Sequence, residues 1–378
     1  MPDFIEKIKG ALYGIAIGDA MGAPVEGWTS DGIRKQFHDH DFAEFLPVTH
    51  KNDPSTGKGF GRITDDTLMT EALIRAYSNS RRHMDAYDFE TFMLYEMTET
   101  VVWLPERQCR LPIIERIWYP EKYPWMRMMG HSVDPRSAGA GNCVNCGVAM
   151  YIMPIGAVNA GDSWSAYQEA AAFGLAHNES YAVEGAAVLA AFFANAFRRE
   201  GTFQDSLEKA LLVARDGTKK AIAAVMNAVD PNDSVDTFIG KTRQAFFPYG
   251  EPIDIDINTD DKANQFIEGN DAGRPSRMRS IEELPIALAA VKYGNGDFIK
   301  TLRSAVMYGR DCDSIAGMAM GVFGALYGMG GIPEHLRKAS DEANRRNYGK
   351  MAEDFHQVIR EIFQKDQIVF RQKAEFYA

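Results

Sequence analysis

Two short acidic motifs offer the clearest chemistry. Thr64-Asp65-Asp66-Thr67 stands just before an apolar helix that begins near Leu68, and Asp311-Cys312-Asp313-Ser314 stands just before a glycine-rich helix from Ile315. N-capping accounts for one oxygen-bearing side chain in each, because Asp, Ser and Thr accept hydrogen bonds from free N–H groups there, and the helix dipole favours the negative charge. A cap needs one side chain, yet each motif supplies two carboxylates and a hydroxyl. All these donors are hard oxygens, and no His or Cys pair accompanies them at zinc spacing. Such a set favours Mg²⁺, Mn²⁺ or Ca²⁺ over Zn²⁺. Four carboxylates brought into one site cannot all stay ionised without cations. One or two divalent ions would resolve that conflict.

The elements that must position these motifs read as helices. Phe4, Ile5, Ile8, Leu12 and Ile15 make one helix face, as do Met351, Phe355, Val358, Ile359, Ile362 and Phe363 near the C-terminus. Alanine-rich runs at 165–176, 181–197, 207–229 and 283–292 predict four more helices. The clearest strand pattern is Ile253, Ile255 and Ile257 alternating with Asp254 and Asp256. The expected fold class is therefore all-α, in one domain over residues 1–378, with loop-rich insertions near 101–135 and 231–280. Gly10, Gly14 and Gly18 recur every four residues, and Gly317, Gly321, Gly324 and Gly328 every three or four. Glycine inside a helix costs about 1 kcal/mol against alanine, so the two stripes predict central helices packed closely, plausibly on each other.

Composition narrows the function. Of 378 residues 46% are hydrophobic, which is enough for a packed core, and the net charge is −11. That charge argues against nucleic acid as a partner. The apolar stretches 11–23 and 181–197 are short and carry Asp19 and Glu184, so both read as buried helices and no membrane partner is expected. Four cysteines and no secretory leader point to a reducing cytoplasm.

Three separated motifs then carry a resemblance. Gly10-Ala11-Leu12-Tyr13-Gly14 with Gly18-Asp19-Ala20-Met21-Gly22-Ala23-Pro24-Val25-Glu26, the Thr64–Thr67 motif, and Gly309-Arg310-Asp311-Cys312-Asp313-Ser314 with its glycine-striped helix resemble the ADP-ribosylglycohydrolase family. A weaker match runs from Gly147 to Gly156, and His177 lies where the family has a Thr-His pair. The resemblance implies a compact orthogonal helical bundle with a two-metal centre, Mg²⁺ first and Mn²⁺ second. It implies Thr64, Asp65, Asp66, Asp311, Asp313 and Ser314 as metal ligands and Glu26, Asp66 and Asp311 as catalytic groups. It further implies Glu26, Cys146, Gly147 and His177 as substrate contacts, with Asp19 behind the ligands, orienting them. Ser314 in place of the commoner Thr keeps the hydroxyl. Arg310 and Cys312 replace Gly and Thr, and Cys312 points away from the oxygens if both aspartates point inward. Tyr151 stands where many members have Arg, and Ala176 replaces the Thr before His177; these two changes lie on the substrate side.

Other signals carry less. Cys143 and Cys146 form a C-x-x-C without the further ligands a zinc site needs. Asp254-Ile255-Asp256 begins like a calcium loop, but Thr259 and Gln265 stand at its glycine and glutamate positions. Arg274, Arg277 and Arg279 make a basic patch that reads as solvated surface.

The expected activity is metal-dependent hydrolysis of a glycosidic bond to ribose, removing ADP-ribose from a modified protein or small molecule. The vicinal ribose hydroxyls would bind the metal pair, which would also acidify a water. Alternatives are a nucleoside-type or other small-molecule glycoside hydrolase on the same scaffold, and a non-catalytic binding protein. An acidic protein needs short-range donors for a pyrophosphate. The backbone N–H groups of the Ser137–Gly147 loop are expected to supply them, with His177 adding positive or donor character nearby.

Overall fold

The computed structural model describes residues 2–38, 40–49, 57–246 and 282–377. The alternating segment around Ile255, the calcium-loop-like stretch and the three arginines of the basic patch lie outside these residues. Among the described residues the protein is helical, apart from one two-stranded sheet.

Five helices organise the site: α1 (Phe4–Gly22), α2 (Asp65–Ser80), α3 (Ser180–Ala196), α4 (Cys312–Tyr327) and α5 (Tyr348–Tyr377). The side chain of Asp3 starts α1 by accepting from the Glu6 N–H at 3.0 Å. Arg81, at φ 50°, ends α2 in the left-handed region, and Gly328, at φ 72°, ends α4.

Helices α1 and α4 lie antiparallel with their glycine stripes facing. A Cβ on Gly14 would sit 2.0 Å from the Met320 carbonyl oxygen, and one on Gly18 would sit 2.2 Å from that of Ala316. No larger residue fits without separating the backbones, so the propensity cost of these glycines is offset by close packing. The direction of the pair matters for chemistry. The end of α1 at Gly22 meets the start of α4 at Asp313, where a Cβ on Gly22 would be 2.5 Å from the Asp313 nitrogen. The turn that follows α1 therefore delivers Glu26 to the head of α4. Buried apolar side chains from Ile8 to Ile362 form one contiguous cluster around this pair.

Two expectations change in detail. The alanine-rich run 207–229 is two helices, Phe203–Val213 and Asp216–Ala228, because Ala214 and Arg215 take extended backbone between them. The 101–135 stretch is more regular than a loop-rich insertion. Val101–Leu104 (β1) pairs antiparallel with Cys109–Pro112 (β2), and a helix covers Tyr119–Trp125. The β-branched and aromatic Val-Val-Trp-Leu run suits a strand, and Gln108, at φ 52°, helps the chain turn back. No helix of the described residues is long and apolar enough to cross a membrane.

Candidate active site

Asp19, fully buried in α1, ties down the start of α2. Its carboxylate accepts from the Thr64 N–H at 2.9 Å, the Thr64 hydroxyl at 2.8 Å, the Thr67 N–H at 3.2 Å and the Thr67 hydroxyl at 2.5 Å. Free N–H groups at a helix N-terminus favour such a carboxylate. Burial raises Asp19 to about 6 against the pull of these bonds. The clamp fixes Asp65 and Asp66 beside the junction of α1 and α4.

The head of α4 supplies the second set. Asp311 takes the N-cap position, and Asp313 and Ser314 lie in the first turn. One oxygen each from Glu26, Asp311 and Asp313 lie within 4.8 Å of one another, as do oxygens from Asp19, Asp66 and Asp313. Asp66 Oδ1 and Asp313 Oδ1 are buried without a hydrogen-bond partner. Burial pushes both groups well above the usual carboxylate range. Nearby carboxylates add to it: Asp19, Asp65 and Asp311 around Asp66, and Glu26, Asp66 and Asp311 around Asp313. Hard oxygens left partnerless in an anionic cluster fit a divalent cation. Cys312 points elsewhere, donating weakly to the Gly22 carbonyl at 3.5 Å.

Two basic side chains offset part of the charge from the periphery. Lys58 pairs with Glu26. Burial alone would lower Lys58, but Glu26 and Asp313 outweigh it and hold its charge. Arg116 bridges Asp65 and Glu106, with Nη2 3.1 Å from Glu106 Oε1. Neither cation lines the cavity that opens over the cluster.

That cavity has a volume of about 350 Å³. Glu26, Asp65, Asp66, Asp311, Asp313 and Ser314 line it. The insertion contributes Trp118, Pro120 and Glu121 to the lining, and the loop that follows adds Cys143, Asn145, Cys146 and Met150. Trp118 is 59% exposed and Glu121 only 3%. Glu121 Oε2 has no hydrogen-bond partner, and burial, reinforced by the charge of Asp65, raises this carboxyl to about 8.

Several expected contacts lie elsewhere. Thr64 is fully buried, its hydroxyl turned to Asp19, and does not line the cavity. His177 is also fully buried, with Nδ1 2.7 Å from the Tyr151 hydroxyl and the two rings stacked. Burial drops His177 to about 3, so it is neutral and adds no positive character. Tyr151 is thereby spent on His177 and does not face the cavity. Gly147 lies behind the wall, its N–H donating to Asn145 Oδ1 at 3.1 Å. The expected phosphate loop is similarly engaged. Gly139, Ala140 and Asn142 donate to the carbonyls of Leu175, Ser137 and Gly139, and Cys143 donates to the Asn142 side chain. Cys146 does reach the cavity, where its thiol donates to Asp311 Oδ2 at 3.3 Å. Burial keeps that thiol protonated.

Sequence reasoning missed Lys58, Glu106, Arg116 and Glu121 as parts of the site. No periodicity or spacing singles out Arg116 or Glu121 within the 101–135 insertion.

Fold and site together define an all-α protein whose central helix pair ends in a buried carboxylate cluster that lines a cavity. The family profile for ADP-ribosylglycohydrolase matches residues 1–366, and the chain belongs to that family. YegU of Escherichia coli (strain K12), a protein described as uncharacterized, is 24% identical over 356 residues, spanning 92% of this chain and 95% of that one. The ADP-ribosylarginine hydrolase Tri1 of Serratia proteamaculans (strain 568) is 25% identical over 340 residues, spanning 87% of this chain and 74% of that one. A solved chain of an ADP-ribosylglycohydrolase-related protein complex shares the fold with a TM-score of 0.58 at 18% identity, covering 95% of this chain and 100% of that chain.

Proposed function

We propose that the protein hydrolyses a glycosidic bond to ribose, releasing ADP-ribose from a modified protein or small molecule, with two divalent ions at the carboxylate cluster. Mg²⁺ is the first choice and Mn²⁺ the second. The observation that carries this reading is the pair of buried, partnerless oxygens, Asp66 Oδ1 and Asp313 Oδ1, in an anionic site that opens to a cleft. Asp65, Asp66, Asp311, Asp313 and Ser314 would hold the ions, with Asp19 fixing the α2 ligands from behind. When bound, the ions would orient the ribose hydroxyls and offset charge in the transition state.

The chain's own groups set the rest. Cleavage breaks the bond between ribose C1 and the leaving nitrogen or oxygen, and a water oxygen takes its place. Glu26, paired with Lys58, is suited to accept the water's proton. The leaving group gains a proton in exchange, and Glu121, whose carboxyl also lines the cavity, is suited to supply it. Arg116 and Glu106 keep Asp65 oriented. A screen of ADP-ribosylated arginine and ADP-ribosylated serine peptides, read as ADP-ribose released with Mg²⁺ or Mn²⁺ present, tests the proposal. No release from either substrate would reject it.

One observation favours a second reading, an uncharged small glycoside. Among the described residues no basic side chain lines the cavity, and the expected phosphate loop has much of its N–H capacity engaged. Competition separates the two. If ADP-ribose inhibits no better than ribose, the small-glycoside reading stands instead.

A further inference from the structure

The last helix leaves the body of the protein. Its final anchors are Glu361 with Arg81, Lys365 Nζ donating to the Arg81 carbonyl at 2.7 Å, and Asp366 Oδ2 3.1 Å from His83 Nε2. Every residue from 367 to 377 is exposed. At 1.5 Å per residue these eleven positions project about 16 Å. They also lie beyond the span that matches the family.

This projecting end is not polar. Phe363 is 57% exposed, Val369 49%, Phe370 72%, Phe376 82% and Tyr377 84%. Most of them repeat in step: Phe363, Phe370 and Tyr377 lie seven residues apart, each preceded by an apolar residue (Ile362, Val369 and Phe376); Ile362 is buried in the body, and Ile368, 57% exposed, falls outside the repeat. A seven-residue apolar repeat on a helix presents one seam to another helix. At about 100° per residue the three pairs occupy a single stripe about 140° wide. Asp366 and Lys373, themselves seven apart, fall along the middle of that stripe.

Those two charges decide the partner and the direction. Pairing with a second copy in parallel register sets Asp366 against Asp366 and Lys373 against Lys373, which is repulsive. An antiparallel pairing centred between Val369 and Phe370 sets Asp366 of one copy against Lys373 of the other, twice, by the two-fold symmetry. The same register puts Val369 on Phe370 and Phe363 on Phe376. A buried charged position that is satisfied in one arrangement alone is a known way to specify helix direction and register.

We propose that residues 363–377 form an antiparallel two-helix seam with the same segment of a second copy of this chain. The seam is short, so the dimer is weak and concentration-dependent. The test is sedimentation equilibrium of the full chain. The weight-average mass should rise with concentration from 42.1 kDa toward twice that value. Lys373→Glu creates Asp–Glu contacts across the seam and should weaken the dimer about tenfold or more. Phe370→Asp should leave a monomer. The swapped double variant Asp366→Lys/Lys373→Glu should restore association, although it gives up the His83 contact. Unchanged thermal midpoints in Lys373→Glu and Phe370→Asp would show that the body remains folded. A wild type that stays monomeric at all concentrations overturns the proposal. A dimer indifferent to Lys373→Glu and Phe370→Asp overturns it too, since another surface then makes the contact. A swap that fails to restore association overturns the antiparallel register.

Discussion

Asp313→Asn should stabilise the protein when divalent ions are absent and remove its response to them when they are present. Oxygens of Asp313, Glu26 and Asp311 approach within 4.8 Å. Two unit charges at that distance repel by roughly 3.5 kcal/mol at an effective dielectric near 20. Burial first, and the neighbouring carboxylates with it, hold Asp313 well above the ordinary range, and protonation of a carboxyl relieves part of this repulsion without metal. Two smaller effects oppose the gain. The first turn of α4 favours a negative Asp313 by about 0.3–1 kcal/mol, and Lys58 loses an attraction. The net expectation is about 1–3 kcal/mol of stabilisation, or a thermal midpoint about 2–6 °C higher in chelator. That sign is diagnostic, because most substitutions of buried residues destabilise. Added Mn²⁺ should raise the wild-type midpoint and leave the variant's almost unmoved. Thermal unfolding by circular dichroism, with EDTA or with Mn²⁺, reads both effects. A variant destabilised in EDTA, or one that responds to Mn²⁺ like the wild type, would refute the reasoning.

Three further outcomes are expected. Gly14→Ala should destabilise by about 1–3 kcal/mol or more, since its Cβ would lie 2.0 Å from a backbone oxygen of α4; denaturant titration measures it. Glu121→Gln should lower kcat/KM about tenfold or more with little loss of stability, because the carboxyl has no protein partner at Oε2; ADP-ribose release with matched melting curves reads this. His83 is raised to about 9 by its hydrogen bond to Glu169. Its folded-state value therefore exceeds the ordinary 6.5, so its contribution is complete below about pH 6.5 and fades as pH rises through about 9. The midpoint difference between wild type and His83→Gln should shrink over that window, and a difference that grows with pH would contradict the assignment.

The fold was legible where side-chain size or spacing left one solution. Glycine every four residues in α1 and a matching stripe in α4 implied backbones in contact, and Gly14 and Gly18 show why nothing larger fits. That contact brings Glu26 to Asp313, so two motifs far apart in sequence meet at one junction. The hairpin was not legible, because β1 and β2 are four residues each and sit among prolines and tryptophans that read as loop. The insertion's share of the cavity lining was hidden for a related reason. Glu121 belongs to a seven-residue helix, and Trp118 stands at its N-cap; the pattern says nothing about which face meets the carboxylates. His177 misled because a sequence position cannot reveal that a tyrosine hydroxyl and full burial have already claimed the ring. Lys58 and Arg116 show the same limit: a cation's partner is set by tertiary approach, and local sequence does not encode it.

The central claim is that the carboxylate cluster holds divalent ions used to cleave a ribosyl bond. The most direct measurement is ADP-ribose release from ADP-ribosylated peptide by wild type and Asp66→Asn, each with EDTA and with added Mg²⁺ or Mn²⁺. Wild type should turn over with metal, lose activity in EDTA and regain it when metal is added, and a folded Asp66→Asn should show no turnover under any of these conditions. Wild-type turnover that persists in EDTA, or full activity in Asp66→Asn, would contradict it.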